Sequence, residues 1–253
     1  GKTVRLTPSG DTLRVLSSSI YCGSVFYVSH SYLNVSAPLC VLIACFIVSI
    51  APLYALLAAL LERGHGTPAP RDVQETANVL SVLMGCPKVP IVVAASEPGS
   101  AALRGLTKKN TRISIDTFLL SIPPQHLQGV ISHELAHLRL GHRKQVALVH
   151  SFAWFFPQVF LSALLWDANL GVEGMIMLSF ACSFSTSACF LLYYHLMRAQ
   201  EYEADRWAQE LLGARYSDAL SDHLRNAADH STRVKLLASH PPASYRISRL
   251  EES

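Results

Sequence analysis

Residues 129–142 read GVISHELAHLRLGH, and inside them His133-Glu134-Leu135-Ala136-His137 fits the pattern H-E-x-x-H. On a helix, positions four apart lie on one face, so His133 and His137 can present ring nitrogens to one metal ion. Glu134 stands beside the first of them, within reach of a water on that metal. Zinc lowers the pKa of such a water toward about 7, and a carboxylate can take its proton. The chemistry needs a helix, and the flanking residues predict one from about Pro123 to His142 or a little beyond. Ser121 is its expected N-cap and Pro123 or Pro124 its first-turn residue. Val130, Ile131, Leu135 and Ala136 are small or apolar, as suits a buried active-site helix.

Two histidines do not complete a zinc site. A third histidine ten residues after the first would do so, but position 143 is Arg. His142 is nine residues on, about half a turn around, and is read as a surface histidine pointing away. The ligand is therefore sought downstream, in Gln200-Glu201-Tyr202-Glu203-Ala204-Asp205. Glu201 and Asp205 share a helix face, whereas Glu203 lies roughly 200° around from Glu201 and should not join them. One of the facing pair can bind zinc while the other accepts a hydrogen bond from a ligand histidine and fixes its tautomer. Spacing does not say which is which.

Before the H-E-x-x-H run, Arg71 to Met84 has apolar residues at helical spacing and predicts a helix ending near Gly85. Val89 to Ala95 and Thr111 to Ile115 read as strands, with a loop or hairpin edge over Glu97 to Asn110. The expected shape is mainly helical, with a small sheet beside the H-E-x-x-H helix.

Half of the 253 residues are hydrophobic and 15% are charged, against about 25% charged in a typical soluble domain. The run from Pro38 to Leu61 carries no charge, and about 20 such residues span a bilayer core. Val146 to Trp166 and Gly174 to Met197 are also uncharged and read as a membrane hairpin joined by a short acidic loop. Val15 to Leu33 is a weaker candidate. Five segments result: an N-terminal stretch at 1–37, a transmembrane helix at 38–61, the first catalytic part at 62–145, the hairpin at 146–197 and the second catalytic part at 198–253. Arg139, Arg143 and Lys144 precede the hairpin and Arg198 follows it, while its loop has no Lys or Arg. The positive-inside tendency then sets both catalytic parts in the cytoplasm. None of the six cysteines forms C-x-x-C, so neither a disulfide framework nor a Cys-bound zinc is expected. A net charge of +3 without a dense basic run argues against nucleic acid as a partner.

The chain resembles the HtpX-like and CAAX-prenyl-protease-like integral-membrane zinc metallopeptidases. Three segments carry the resemblance: GVISHELAHLRLGH from Gly129, RAQEYEADRWA from Arg198 and SHPPASYRISRL from Ser239. It implies a zincin-like catalytic domain of the gluzincin type with one Zn2+ per chain. It also implies Glu201 as the third zinc ligand and Asp205 as its hydrogen-bonding partner. His240 and Arg246 would lie near the metal, where a cation or N–H donor stabilises a developing oxyanion or holds substrate. The family usually carries an Asn-Ala pair on the strand that grips substrate. The comparable place here reads Gly99-Ser100-Ala101-Ala102, where Ser100 offers less hydrogen bonding than an amide. Ser100 and Ala101 are the expected substrate-binding residues, because peptides often bind by adding a strand to such an edge. A looser similarity, through Phe156-Pro157, is to BlaR-type sensor metallopeptidases.

The expected activity is hydrolysis of peptide bonds in membrane or membrane-proximal proteins, with protein or peptide substrates and a lipid membrane as partners. Few spans are available to enclose a lipidated tail, which favours quality control over prenylated-peptide cleavage. The alternatives are a sensor that cuts itself or one regulator, and a non-catalytic membrane scaffold. The intact Glu134 argues against the scaffold, because the base is not needed for the fold.

Overall fold

A computed structural model of the chain describes residues 57, 66–94, 99–107, 109–164, 172–228 and 240–252. These fall into two units. One draws on 57–146, 196–228 and 240–252, the other on 147–164 and 172–195.

The first unit begins with strand β1 (Thr67–Pro68) and helix α1 (Arg71–Leu83). Val73, Ala77, Leu80 and Ser81 recur at helical spacing and are buried, which turns one stripe of α1 into the core. Strands β2 (Ile91–Val93), β3 (Ala101–Arg104) and β4 (Arg112–Ile115) follow. The sheet order is β1-β2-β4-β3, with β2 parallel to β4 and the other two pairings antiparallel. Gln74 fastens α1 to this sheet: its amide nitrogen donates to the Val89 carbonyl (3.1 Å) and its oxygen accepts from the Ile91 N–H (2.8 Å). The turn after β3 needs Gly105, whose φ is 79° and where a Cβ would collide with the Asn110 carbonyl. The segment expected as a loop or hairpin edge thus supplies β3, the strand at one end of the sheet.

A 3-10 turn at Thr117–Leu120 leads into helix α2 (Pro124–Leu140). Asp116 caps that turn, accepting from the Phe118 N–H at 2.9 Å and the Gly99 N–H at 3.3 Å. Ser121 is not the N-cap of α2. Its hydroxyl donates back to the Phe118 carbonyl (2.7 Å), closing the 3-10 turn. Helix α2 starts behind Pro123 without a side-chain cap. Pro124 stands at its first position, where the missing N–H has no intrahelical partner to lose.

The expected helix through His142 also needs correction, because α2 stops at Leu140, two residues earlier. Gly141 takes the left-handed conformation (φ 73°) and its N–H donates to the Leu138 carbonyl at 3.3 Å. Helix α3 (His142–Leu164) starts immediately, with the Lys144 N–H donating to the Gly141 carbonyl at 3.0 Å. Helix α4 (Val172–Leu212), α5 (Ala214–Ala228) and α6 (Ala243–Glu252) complete the described chain. Ile131, Leu135 and Ala136 of α2 join Ile113, Ile115 and Leu119 in a core with no solvent exposure. Helix α5 packs closely on α2 at Gly129, where an added Cβ would lie 3.2 Å from the Ala219 Cβ. Ala204 and Ala208 bring α4 into the same core. A hydrogen bond from the Gln209 amide to the Leu250 carbonyl (3.1 Å) ties α6 to α4.

In the second unit, Ala153, Phe190 and Tyr194 form a small buried cluster. Phe152, Phe156 and Phe160 are exposed and stack along α3, at 4.6 and 5.5 Å between successive rings. Met177, Phe180 and Phe184 are exposed along α4. These are the helices that cover most of 146–197, where a membrane hairpin is expected. Among the described residues, no helix is long and apolar enough to cross a membrane. The expected spans at 15–33 and 38–61 lie outside the described residues, apart from Leu57.

Candidate metal centre

His133 and His137 are one turn apart on α2, and their Nε2 atoms face each other at 3.0 Å. Glu201 comes from α4, with Oε2 3.3 Å from His133 Nε2 and Oε1 3.4 Å from His137 Nε2. The three groups form a cluster able to hold one metal ion. A tetrahedral zinc with ligands at about 2.0–2.1 Å separates its ligand atoms by roughly 3.3 Å, close to these three distances. Glu201 is 4% exposed, and its Oε2 accepts no hydrogen bond although Arg246 Nη1 lies 3.2 Å away. A buried carboxylate with one oxygen against each of two imidazole nitrogens, and no well-directed donor to its Oε2, supplies with them a donor set that suits a zinc ion.

Behind His133 stands a fully charged support. Asp205, one turn after Glu201 on α4, puts Oδ1 2.9 Å from His133 Nδ1. Arg246 of α6 grips Asp205 through two donors, Nε to Oδ2 (2.8 Å) and Nη2 to Oδ1 (2.7 Å). The Tyr216 hydroxyl of α5 adds a third donor to Asp205 at 3.0 Å. Burial and the Arg246 charge both press the His133 pKa down, but Asp205 and Glu201 outweigh them and lift it to about 9. Burial raises the Asp205 carboxyl, yet His133 and Arg246 hold it well below the usual carboxylate range. Glu201 is likewise held low against its burial by the histidines around it. This corner of the protein therefore favours a positive charge where the three ligand groups meet.

His137 has a different support, which sequence reasoning missed. Its Nδ1 lies 2.8 Å from His142 Nδ1, and His142 Nε2 lies 3.3 Å from Glu203 Oε2. His142 is not a surface histidine: it is 2% exposed. The left-handed Gly141 breaks the helix and turns the next residue back toward the site, so an angle extrapolated along one straight helix fails. Burial first, and the neighbouring His137 next, push the His142 imidazole below its ordinary range. Glu203 stays apart from the Glu201–Asp205 face, as its helical angle predicts, and is half exposed.

Glu134 is buried, and its Oε2 accepts the Leu103 N–H of β3 at 2.6 Å. The Ser100 carbonyl accepts from the Asp116 N–H (3.0 Å) on the β4 side. Backbone groups alternate sides along a strand, so Ala101 and Leu103 turn theirs toward the edge that no other described strand pairs. Ala101 thus opens the edge strand and Ser100 precedes it. His240 is largely exposed, with Nδ1 3.1 Å from Glu201 Oε1, and that carboxylate raises its pKa. Arg246 is 7% exposed and turned entirely to Asp205, Glu201 and His133.

The profile of the family described as Peptidase family M48 matches residues 69–253. Curated relatives include Protease HtpX of Idiomarina loihiensis, 24% identical over 72% of this chain and 70% of its own length. The Protease HtpX homolog of Bacillus licheniformis is 26% identical over 68% of this chain and 66% of its own. The crystal structure of S. mikatae Ste24p superposes with a TM-score of 0.54 at 15% identity. It covers 94% of this chain, which spans 63% of the Ste24p length.

Proposed function

The chain belongs to peptidase family M48, and from that premise we propose that it is a zinc-dependent endopeptidase. The observation that carries the reading is the meeting of His133, His137 and Glu201 at 3.0–3.4 Å, beside a glutamate anchored to the open strand edge. In this reading those three residues hold one zinc. When bound, zinc supplies a Lewis acid and lowers the pKa of water toward about 7.

The remaining work falls to the chain. An extended polypeptide adds to β3 through the backbone groups of Ala101 and the Leu103 carbonyl, with Ser100 at the entry to that edge. The Leu103 N–H keeps the Glu134 carboxylate aimed at the reacting water. Glu134 takes a proton as the water oxygen attacks the scissile carbonyl carbon. It then gives that proton to the leaving nitrogen as the C–N bond breaks, leaving a carboxylate and an amine. His240, exposed beside Glu201, donates to the oxygen that gains charge. Arg246 acts as a positioning residue, holding Asp205 and through it His133.

Recognition through main-chain atoms is tolerant of side chains, which suits an enzyme that clears damaged proteins more than one that reads a single regulator. The names of the HtpX relatives support the peptidase reading. A membrane setting is supported by the uncharged run at 38–61 and by the exposed phenylalanine row of α3. The basic flanks of 146–197 favour a cytoplasmic catalytic unit.

The test compares zinc content and cleavage of an unfolded protein in detergent-purified wild type, Glu201→Ala and Glu203→Ala. Wild type and Glu203→Ala should each carry about one zinc per chain, as a single mononuclear site requires. Glu201→Ala should lose both zinc and cleavage. Equal zinc loss in the two variants would contradict the ligand assignment.

A further inference from the structure

We propose that His142 is a positioning residue that fixes the tautomer and orientation of the ligand His137, backed in turn by Glu203. The inference rests on the zinc site proposed above. It adds a residue outside the H-E-x-x-H pattern and the Glu201–Asp205 pair.

A histidine that binds zinc through Nε2 has its lone pair there, so its Nδ1 must carry the hydrogen. His137 Nδ1 lies 2.8 Å from His142 Nδ1. If His137 Nδ1 donates, His142 Nδ1 must accept, and the hydrogen of a neutral His142 must sit on Nε2. That nitrogen faces a carboxylate, Glu203 Oε2 at 3.3 Å, which is an acceptor only. Each link allows one arrangement: His137 Nδ1–H to His142 Nδ1, then His142 Nε2–H to Glu203. Read from the carboxylate, the chain of hydrogen bonds forces the His137 Nε2 lone pair to face His133 and Glu201. The rings are also set for it, meeting edge to face at 68° with centroids 5.0 Å apart. His142 is 2% exposed, so water does not stand in for it. The left-handed Gly141 makes the arrangement possible by starting a new helix at this residue.

Replacing a partner that orients a metal ligand typically weakens metal binding about 10- to 100-fold. The experiment measures the zinc dissociation constant of the full chain in detergent by competition with a chromophoric chelator. Thermal unfolding of the metal-free forms is measured alongside. In His142→Asn the side-chain oxygen falls near the position of Nδ1 and can still accept, so its dissociation constant should stay within about threefold of wild type. His142→Leu keeps the bulk but removes the acceptor, and should bind zinc about 10- to 100-fold more weakly with an unchanged metal-free melting temperature. His142→Gln, which carries its polar group too far out to meet His137, should behave like His142→Leu and replaces it if that variant does not fold. Wild-type affinity in His142→Leu or His142→Gln would overturn the inference. So would a loss in His142→Asn as large as theirs, since the residue would then act by packing alone. A wild-type chain that binds no zinc would overturn the metal site itself together with this inference.

Discussion

The two ligand histidines of α2 sit in unlike surroundings. His133 is backed by a buried ionic group in which Asp205 takes two hydrogen bonds from Arg246 and one from Tyr216. His137 is backed by a second imidazole, and only behind that by a half-exposed carboxylate. The first support is made of full charges from α4 and α6 with a neutral hydroxyl from α5, so it also joins the three helices to α2. The second fixes a hydrogen position with one uncharged ring and little charge in the interior. A buried charge network is costly to break because its survivors stay charged and unpaired. A partner near the surface can be replaced by water at small cost.

The contrast can be broken most severely at Arg246. Arg246→Leu should destabilise the metal-free protein by about 3–5 kcal/mol, because Asp205 and Glu201 lose their common cation in the interior. Denaturant unfolding measures this, and a loss under about 1 kcal/mol would remove the distinction between the two supports.

The charged support should also imprint a pH dependence on metal binding. His133 titrates at about 9 in the metal-free protein, and zinc must displace its proton. Zinc affinity should therefore climb by up to about tenfold per pH unit below pH 9 and flatten above it. The same raised pKa means that the protonated ring stabilises the metal-free fold fully below its unfolded value of about 6.5, and that this contribution fades as pH rises through about 9. Asp205→Asn should move the flattening point to lower pH in a chelator titration. An unchanged profile would show that Asp205 does not hold the His133 proton.

At the second support, Gly141→Ala should cost about 1–2 kcal/mol, because the left-handed backbone disfavours a Cβ although no neighbour crowds the position. The smallest effect belongs to Glu203→Ala. Its half-exposed carboxylate should contribute under about 1 kcal/mol to unfolding, and water should take its hydrogen bond from His142.

Much of this architecture can be read in the sequence because it follows from helical angles. Residues at i and i+4 put His133 with His137 and Glu201 with Asp205, and the same rule keeps Glu203 off that face. The stripe of Val73, Ala77 and Leu80 gives α1, and the β-branched run gives β2. What angles do not convey is a change of axis. Gly141 after Leu140 is a helix-stop signal, and reading it as one would have separated His142 from the preceding helix. The Arg246 contacts are beyond local pattern, because α6 arrives from 41 residues past Asp205. The Leu103 N–H on Glu134 depends on which edge β3 takes in the sheet. Ser121 had the right residue type for a helix cap but stood where a 3-10 turn needed its hydroxyl.

The central claim is a zinc site with Glu134 as its proton acceptor. It is tested most directly by zinc content and cleavage of an unfolded protein in wild type and Glu134→Gln, both purified in detergent. The account predicts about one zinc per chain in both, with cleavage in wild type and a loss of about 10²- to 10⁴-fold in the variant. Absence of zinc from both, or cleavage by Glu134→Gln at the wild-type rate, would contradict it.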